Sequence, residues 1–193
     1  MIATCAELIA AVKDYSLRTD APVEMLIQLA ESEIAPMIKH YKALKTVDIP
    51  INANLTAPLP NDLHELRYVK VDNRNTKQVG VFGGVAPSSE VAFVVLDGLM
   101  HFTGYGDLET AKVVYWSKIP ALNASNPTNW LLTDYPSVYL YATLVQLYRW
   151  ARDIDGEASA SASLGQAMSA LAIDDKRYNQ SGTGYTFGGV DGW

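Results

Sequence analysis

Cysteine is nearly absent: Cys5 is the one thiol among 193 residues, so no disulfide can form within the chain. Histidine is scarce as well. His40, His64 and His101 fall in separate stretches without the spacing of a zinc site, and Cys5 is distant from all of them. No apolar run reaches the roughly 20 residues that a bilayer-spanning helix needs, so no membrane role is expected. The first residues carry Glu7 where a secretory leader would be basic, and they read as a helix start rather than a signal peptide. Charged residues are only 19% of the chain against 49% hydrophobic, which excludes global disorder. The net charge of -6 removes the electrostatic case for gripping a nucleic-acid backbone. A soluble protein of a reducing compartment is expected, long enough for one domain or one domain with a large insertion.

Aromatic residues are plentiful, with 11 Tyr and 4 Trp. Such side chains serve wet interfaces as well as cores. Several lie in the stretch around which the chain is organised, NWLLTDYPSVYLYATLVQLYRWAR from Asn129 to Arg152. Apolar and aromatic residues run almost unbroken from Ser137 to Ala151, too continuously for a surface helix with one apolar stripe, so the stretch predicts a central helix covered on several sides. Pro136 suits its first turn, where no amide donor is needed. The core expected around it comprises Trp130, Leu132, Val138, Tyr141, Leu144, Val145 and Tyr148.

Upstream, Thr4 and Glu7 fit a capping box for a short helix to about Tyr15. Thr19 or Asp20 is expected to cap a second helix, with Pro22 in its first turn and Pro36 bending or ending it. From Tyr41 to about Leu122, β-like runs alternate with turn formers. A helical turn is expected at Asn61–Leu66, then a strand at Tyr68–Val71, a polar turn at DNRNT and a long Gly/Pro connection. Val91–Leu96 and Leu99–Phe102, joined by Asp97 and Gly98, give the strongest hairpin signal. A last helix is expected from Glu157 to about Tyr178, rich in Ala, Ser and Gly. Beyond it lie five glycines with Tyr185, Phe187 and Trp193, which predict a flexible tail carrying aromatic anchors. The expected fold class is α+β: an antiparallel bundle of about four helices (1–40 and 123–178), an inserted small antiparallel β-sheet (41–122) and a C-terminal tail (179–193).

Residues that carry chemistry do not converge. Gly83 and Gly84 lack the spacing and the lysine of a phosphate loop, and there is no G-x-S-x-G elbow. DIDGE at Asp153–Glu157 resembles a calcium loop only faintly, since ASASAS follows without further carboxylates. Lys39, Lys42 and Lys45 read as a solvated basic face. No enzyme activity, catalytic residue, cofactor or metal is expected.

The order of PLPNDLHELRYVKV at Pro58–Val71, VVYWSKIPAL at Val113–Leu122 and TNWLLTDYPSVYLYATL at Thr128–Leu144, after a helical hairpin containing AES at Ala30–Ser32, resembles the head-to-tail adaptor proteins of tailed bacteriophages over nearly the whole chain. That resemblance implies a structural virion protein made in the host cytoplasm and placed in the neck between capsid portal and tail. It implies a homo-oligomeric ring, expected at twelve copies to match the portal, that extends the DNA channel without sequence-specific DNA binding. Portal protein, a tail or nozzle protein and tail fibres are the implied partners. Tyr185, Phe187 and Trp193 are then candidates for portal docking, and the Asp97–Gly98 hairpin tip for contact with a tail component. Two alternatives remain open: another neck or tail protein, such as a stopper or head-completion protein, and a non-catalytic binding module.

Overall fold

The computed structural model describes residues 2–80, 90–104 and 106–181. The chain divides into two compact units, Met1–Lys42 with Ile119–Trp193, and Ala43–Lys118.

In the helical unit, α1 (Cys5–Ser16) starts at the capping box: Thr4 Oγ1 accepts from the Glu7 amide, and the Glu7 carboxylate accepts from the Thr4 and Ala3 amides. It stops where Leu17 turns left-handed at φ 54°. α2 (Val23–Ile34) follows Pro22, which caps it without a side-chain hydrogen bond. The caps expected at Thr19 or Asp20 are not used, and Asp20 instead pairs with Arg18 at 3.0 Å. Pro36 falls in a single 3-10 turn, Ala35–Met37, beyond the end of α2. A short α3 (Trp130–Asp134) is capped by Asn129, whose side chain accepts from the Leu132 amide. α4 (Pro136–Ala151) is the central helix, with Pro136 in its first turn. α5 (Ile154–Ser181) begins earlier than Glu157 because Asp153 caps it, its carboxylate accepting from the Gly156 amide at 2.9 Å.

The core of this unit surrounds α4, which packs against α1, α2, α3 and α5. Leu132, Val138, Leu144 and Val145 are buried, while Trp130, Tyr141 and Tyr148 are partly buried and pack against that core. Thr143 is fully buried and donates to the Tyr139 carbonyl at 2.8 Å, so its hydroxyl costs little. α4 and α5 meet closely at Gly156, where a Cβ would stand 2.7 Å from the Tyr148 ring.

The second unit holds a seven-stranded sheet: β1 (Leu44–Pro50), β2 (Thr56–Pro58), β3 (Leu63–Val71), β4 (Arg74–Gln78), β5 (Val91–Leu96), β6 (Leu99–Thr103) and β7 (Thr110–Ser117). Their order is β1-β7-β3-β4-β5-β6-β2. Two expectations are corrected. The sheet is mixed rather than antiparallel throughout, because β4 and β5 pair in parallel, Thr76 with Val91 through Gln78 with Phe93. The intervening connection, residues 79–90, has the dozen or so residues that a parallel crossover requires. The helical turn expected at Asn61–Leu66 is largely strand, since β3 pairs with β7 from Leu63 onward, across two register shifts. β4 pairs with β3 through Arg74 and Asn75 and with β5 through Thr76–Gln78, joining the two halves of the sheet. Val69, Val71, Val113 and Tyr115 from one half share a core with Phe93, Met100 and Phe102 from the other. Asp97 (φ 50°) and Gly98 (φ 75°) form the two-residue hairpin turn between β5 and β6.

Because Leu144 is 3% exposed on the central helix, Leu144→Ala is expected to cost about 2–5 kcal/mol in chemical denaturation. A loss below about 0.5 kcal/mol would contradict the placement of α4 at the core.

Candidate assembly interface

Among the described residues no group of His, Cys, Asp and Glu could hold a metal ion. No helix of the described residues is long and apolar enough to cross a membrane. The calcium-like DIDGE segment is a helix start: Asp153 caps α5, and Glu157 accepts from Arg149 at 2.7 Å. The basic run is not simply solvated. Lys42 pairs with Asp134 at 2.6 Å and Lys45 with Asp62 at 2.5 Å. Arg149 also reaches Glu33 at 2.6 Å, so one guanidinium ties α2 to α5 across α4.

Three polar clusters hold the elements in place. In the first, the Glu31 carboxylate on α2 accepts from the Leu122 amide at 2.8 Å and from the Tyr139 hydroxyl at 2.9 Å. Asn129 Nδ2 donates to that same Tyr139 oxygen and to the Pro120 carbonyl. Burial raises the Glu31 carboxyl above its ordinary range, against the lowering effect of its two donors. Burial likewise raises the Tyr139 phenol.

In the second cluster His40 is fully buried, stacked on Trp130 with ring centres 5.2 Å apart. Its Nδ1 accepts from the Lys42 amide, which leaves Nε2–H to donate toward Tyr135 Oη at 3.3 Å. Tyr135 in turn donates to Asp174 on α5 at 2.6 Å. Burial lowers the His40 pKa, and the nearby Asp175 and Asp174 carboxylates only partly oppose it. Tyr41 adds its amide, donated to Asp175 at 2.7 Å, and its ring, stacked on Tyr178 at 3.9 Å. The third cluster lies in the sheet unit. Asp62 pairs with Lys45 and accepts from Tyr115 at 2.7 Å, and these two donors hold its carboxyl below the usual range; burial and the Asp62 carboxylate push the Tyr115 phenol up to about 12. A phenol so raised cannot serve as a base near neutral pH, and every group in these clusters is engaged in holding segments together.

Surfaces, rather than a reactive centre, are therefore the candidates. Asp97 and Gly98 stand exposed at the β5–β6 turn, beside Leu96 at 42% exposure. Tyr185, Phe187 and Trp193 lie outside the described residues. Sequence reasoning missed an apolar pocket of about 380 Å³ bounded by α1, α2 and the 122–127 loop, because it forms only when those distant segments meet. It also missed the Glu31 and His40 clusters, where neither spacing nor composition marks residues so far apart in sequence.

A family model described as SU10 adaptor protein matches residues 3–185. No curated protein matches the chain.

The raised Glu31 pKa means that the fold favours the protonated acid. Its contribution is full below the ordinary value of 4.5 and is lost as pH rises through the higher folded-state value. Glu31→Gln, which keeps an acceptor and cannot ionise, is expected to remove that loss and to match or exceed the wild type near pH 7. Glu31→Ala strands two donors and is expected to cost about 1–3 kcal/mol. Urea denaturation across pH checks both; an unchanged pH profile in Glu31→Gln would contradict the assignment.

Proposed function

The chain belongs to the SU10 adaptor family, structural and non-catalytic connector proteins of the bacteriophage head-to-tail junction, and from that premise we propose that it forms a ring beneath the portal, of about twelve copies to match it, that extends the DNA channel. The observation that carries this reading is the family match over nearly the full length. The engagement of the Glu31, His40 and Asp62 clusters in structural contacts supports it. In this reading the helical residues 1–40 and 123–178 form the ring wall. The sheet residues 41–122 offer the surface for a tail or nozzle protein and for tail fibres, with the Asp97–Gly98 tip as a contact. Residues 179–193 reach the portal through Tyr185, Phe187 and Trp193. The net charge of -6 suits a conduit that must not retain a passing polyanion. The protein is made in the host cytoplasm and takes its place in the neck.

Light scattering of the purified chain, alone and mixed with the portal ring of its own phage, tests the reading. The expected result is about twelve copies loaded per portal ring, to match its symmetry. Deleting residues 182–193 is expected to leave the melting temperature unchanged and to weaken portal binding. A small fixed oligomer that ignores the portal would contradict the adaptor function, and undiminished binding by the truncated chain would remove the docking role of the tail. Asp97→Lys is expected to impair attachment of the next tail component to the loaded portal; normal attachment would take the hairpin tip out of the contact.

A further inference from the structure

One end of the helical unit carries more exposed apolar surface than its own fold uses. The α1–α2 and α4–α5 turns lie side by side there, the Arg18 guanidinium standing 5.5 Å from the centre of the Trp150 ring. Leu17 is 87% exposed and Ile154 80%, with Tyr15 largely and Trp150 partly exposed. Leu17 is held left-handed, at φ 54°, a conformation that asparagine or glycine would adopt more readily. A leucine both strained and exposed works against the stability of the isolated chain, and such clusters mark surfaces that another molecule covers. Beside them Arg152 is exposed, with no ion-pair partner among the described residues.

Elsewhere on the same unit, the pocket of about 380 Å³ is lined mainly by Cys5, Ala6, Ile9, Ile27, Leu122 and Pro127. Its size lies in the range of pockets that bury small apolar groups, roughly 300–1,000 Å³. Its charged lining residue is Glu24, the one glutamate of α2 that neither Tyr139 nor Arg149 engages. The exposed turns thus offer aliphatic side chains flanked by an arginine, and the pocket offers an apolar floor with one carboxylate, Glu24, at its edge.

We infer that two copies of this chain join head to tail, the Leu17–Ile154 end of one seated in the α1–α2 pocket of the next, with Arg152 of the first facing Glu24 of the second. The contact is heterologous: each copy keeps a free plug and a free pocket, so a rotation that closes gives a ring. Charge complementarity selects a second copy as the occupant over an unrelated apolar ligand. The inference rests on the ring reading for its closure, and it specifies which surfaces meet.

Leu17→Asn removes the plug at a backbone angle that asparagine tolerates, and Ala6→Phe fills the pocket from an exposed position. Both are expected to keep the wild-type circular dichroism and melting temperature. Both are expected to weaken self-association about tenfold or more in sedimentation velocity, and to lower the number of copies loaded on the portal of the same phage. Glu24→Arg and Arg152→Glu are each expected to weaken assembly, and the double variant to restore it. Assembly of Leu17→Asn and Ala6→Phe at wild-type strength, or a double variant no better than the singles, would overturn the plug and pocket while leaving the ring intact. A wild-type chain that stays monomeric both alone and with the portal would overturn the ring reading and the self-contact with it.

Discussion

The helical unit depends on one constraint: α4 is apolar on nearly all sides and must be covered on nearly all sides. Val138, Leu140, Ala142, Leu144, Val145 and Leu147 are each at most 6% exposed. A helix of that kind cannot lie on a surface, so α1, α2, α3 and α5 are arranged as its cover. The small side chains of α5 follow from the same demand. Ala160 and Ala167 are buried along its inner stripe, and Gly156 lets its first turn approach Tyr148. Apolar burial supplies the driving force, and the polar clusters decide the registration. Glu31 fixes α2 against the 120–122 segment and Tyr139, Arg149 bridges α2 and α5, and Tyr135 fixes α4 against Asp174.

This use of polar groups separates a structural protein from an enzyme with the same inventory. Histidine, tyrosine and aspartate stand within hydrogen-bond reach at His40, Tyr135 and Asp174, a set that elsewhere could move protons. Here the imidazole is fully buried and stacked, its Nδ1 engaged by a backbone amide. Burial favours the neutral ring, so its contribution to stability is present above the ordinary pKa of 6.5 and fades as pH falls through the lower folded-state value. Such a cluster holds α5 to the segment after α2.

What was legible in the sequence was whatever is decided locally. The Thr4–Glu7 capping box, the unbroken apolar run of α4 and the Asp97–Gly98 hairpin each depend on neighbouring residues, and each appears in the structure. Elements decided by distant partners were misread or missed. Leu63–Leu66 carries no strand alternation and becomes β3 because β7 lies beside it. Arg74–Gln78 is polar and mostly exposed, so nothing in its composition announces β4 or its parallel pairing with β5. The early start of α5 required seeing Asp153 as a cap rather than as part of a cation loop. The exposed character of Leu17 and Ile154 was hidden for a related reason: in sequence they are ordinary apolar residues, and only the fold shows them unburied. The family resemblance lay in the order of several motifs, none of them chemical, and the family match likewise spans residues 3–185.

Electron cryomicroscopy of the neck of the intact virion tests the central claim most directly. The account predicts this chain as a closed ring directly beneath the portal, its helical units side by side around the DNA channel. Density for the chain at any other level of the particle, or as isolated copies without lateral contact, would contradict it.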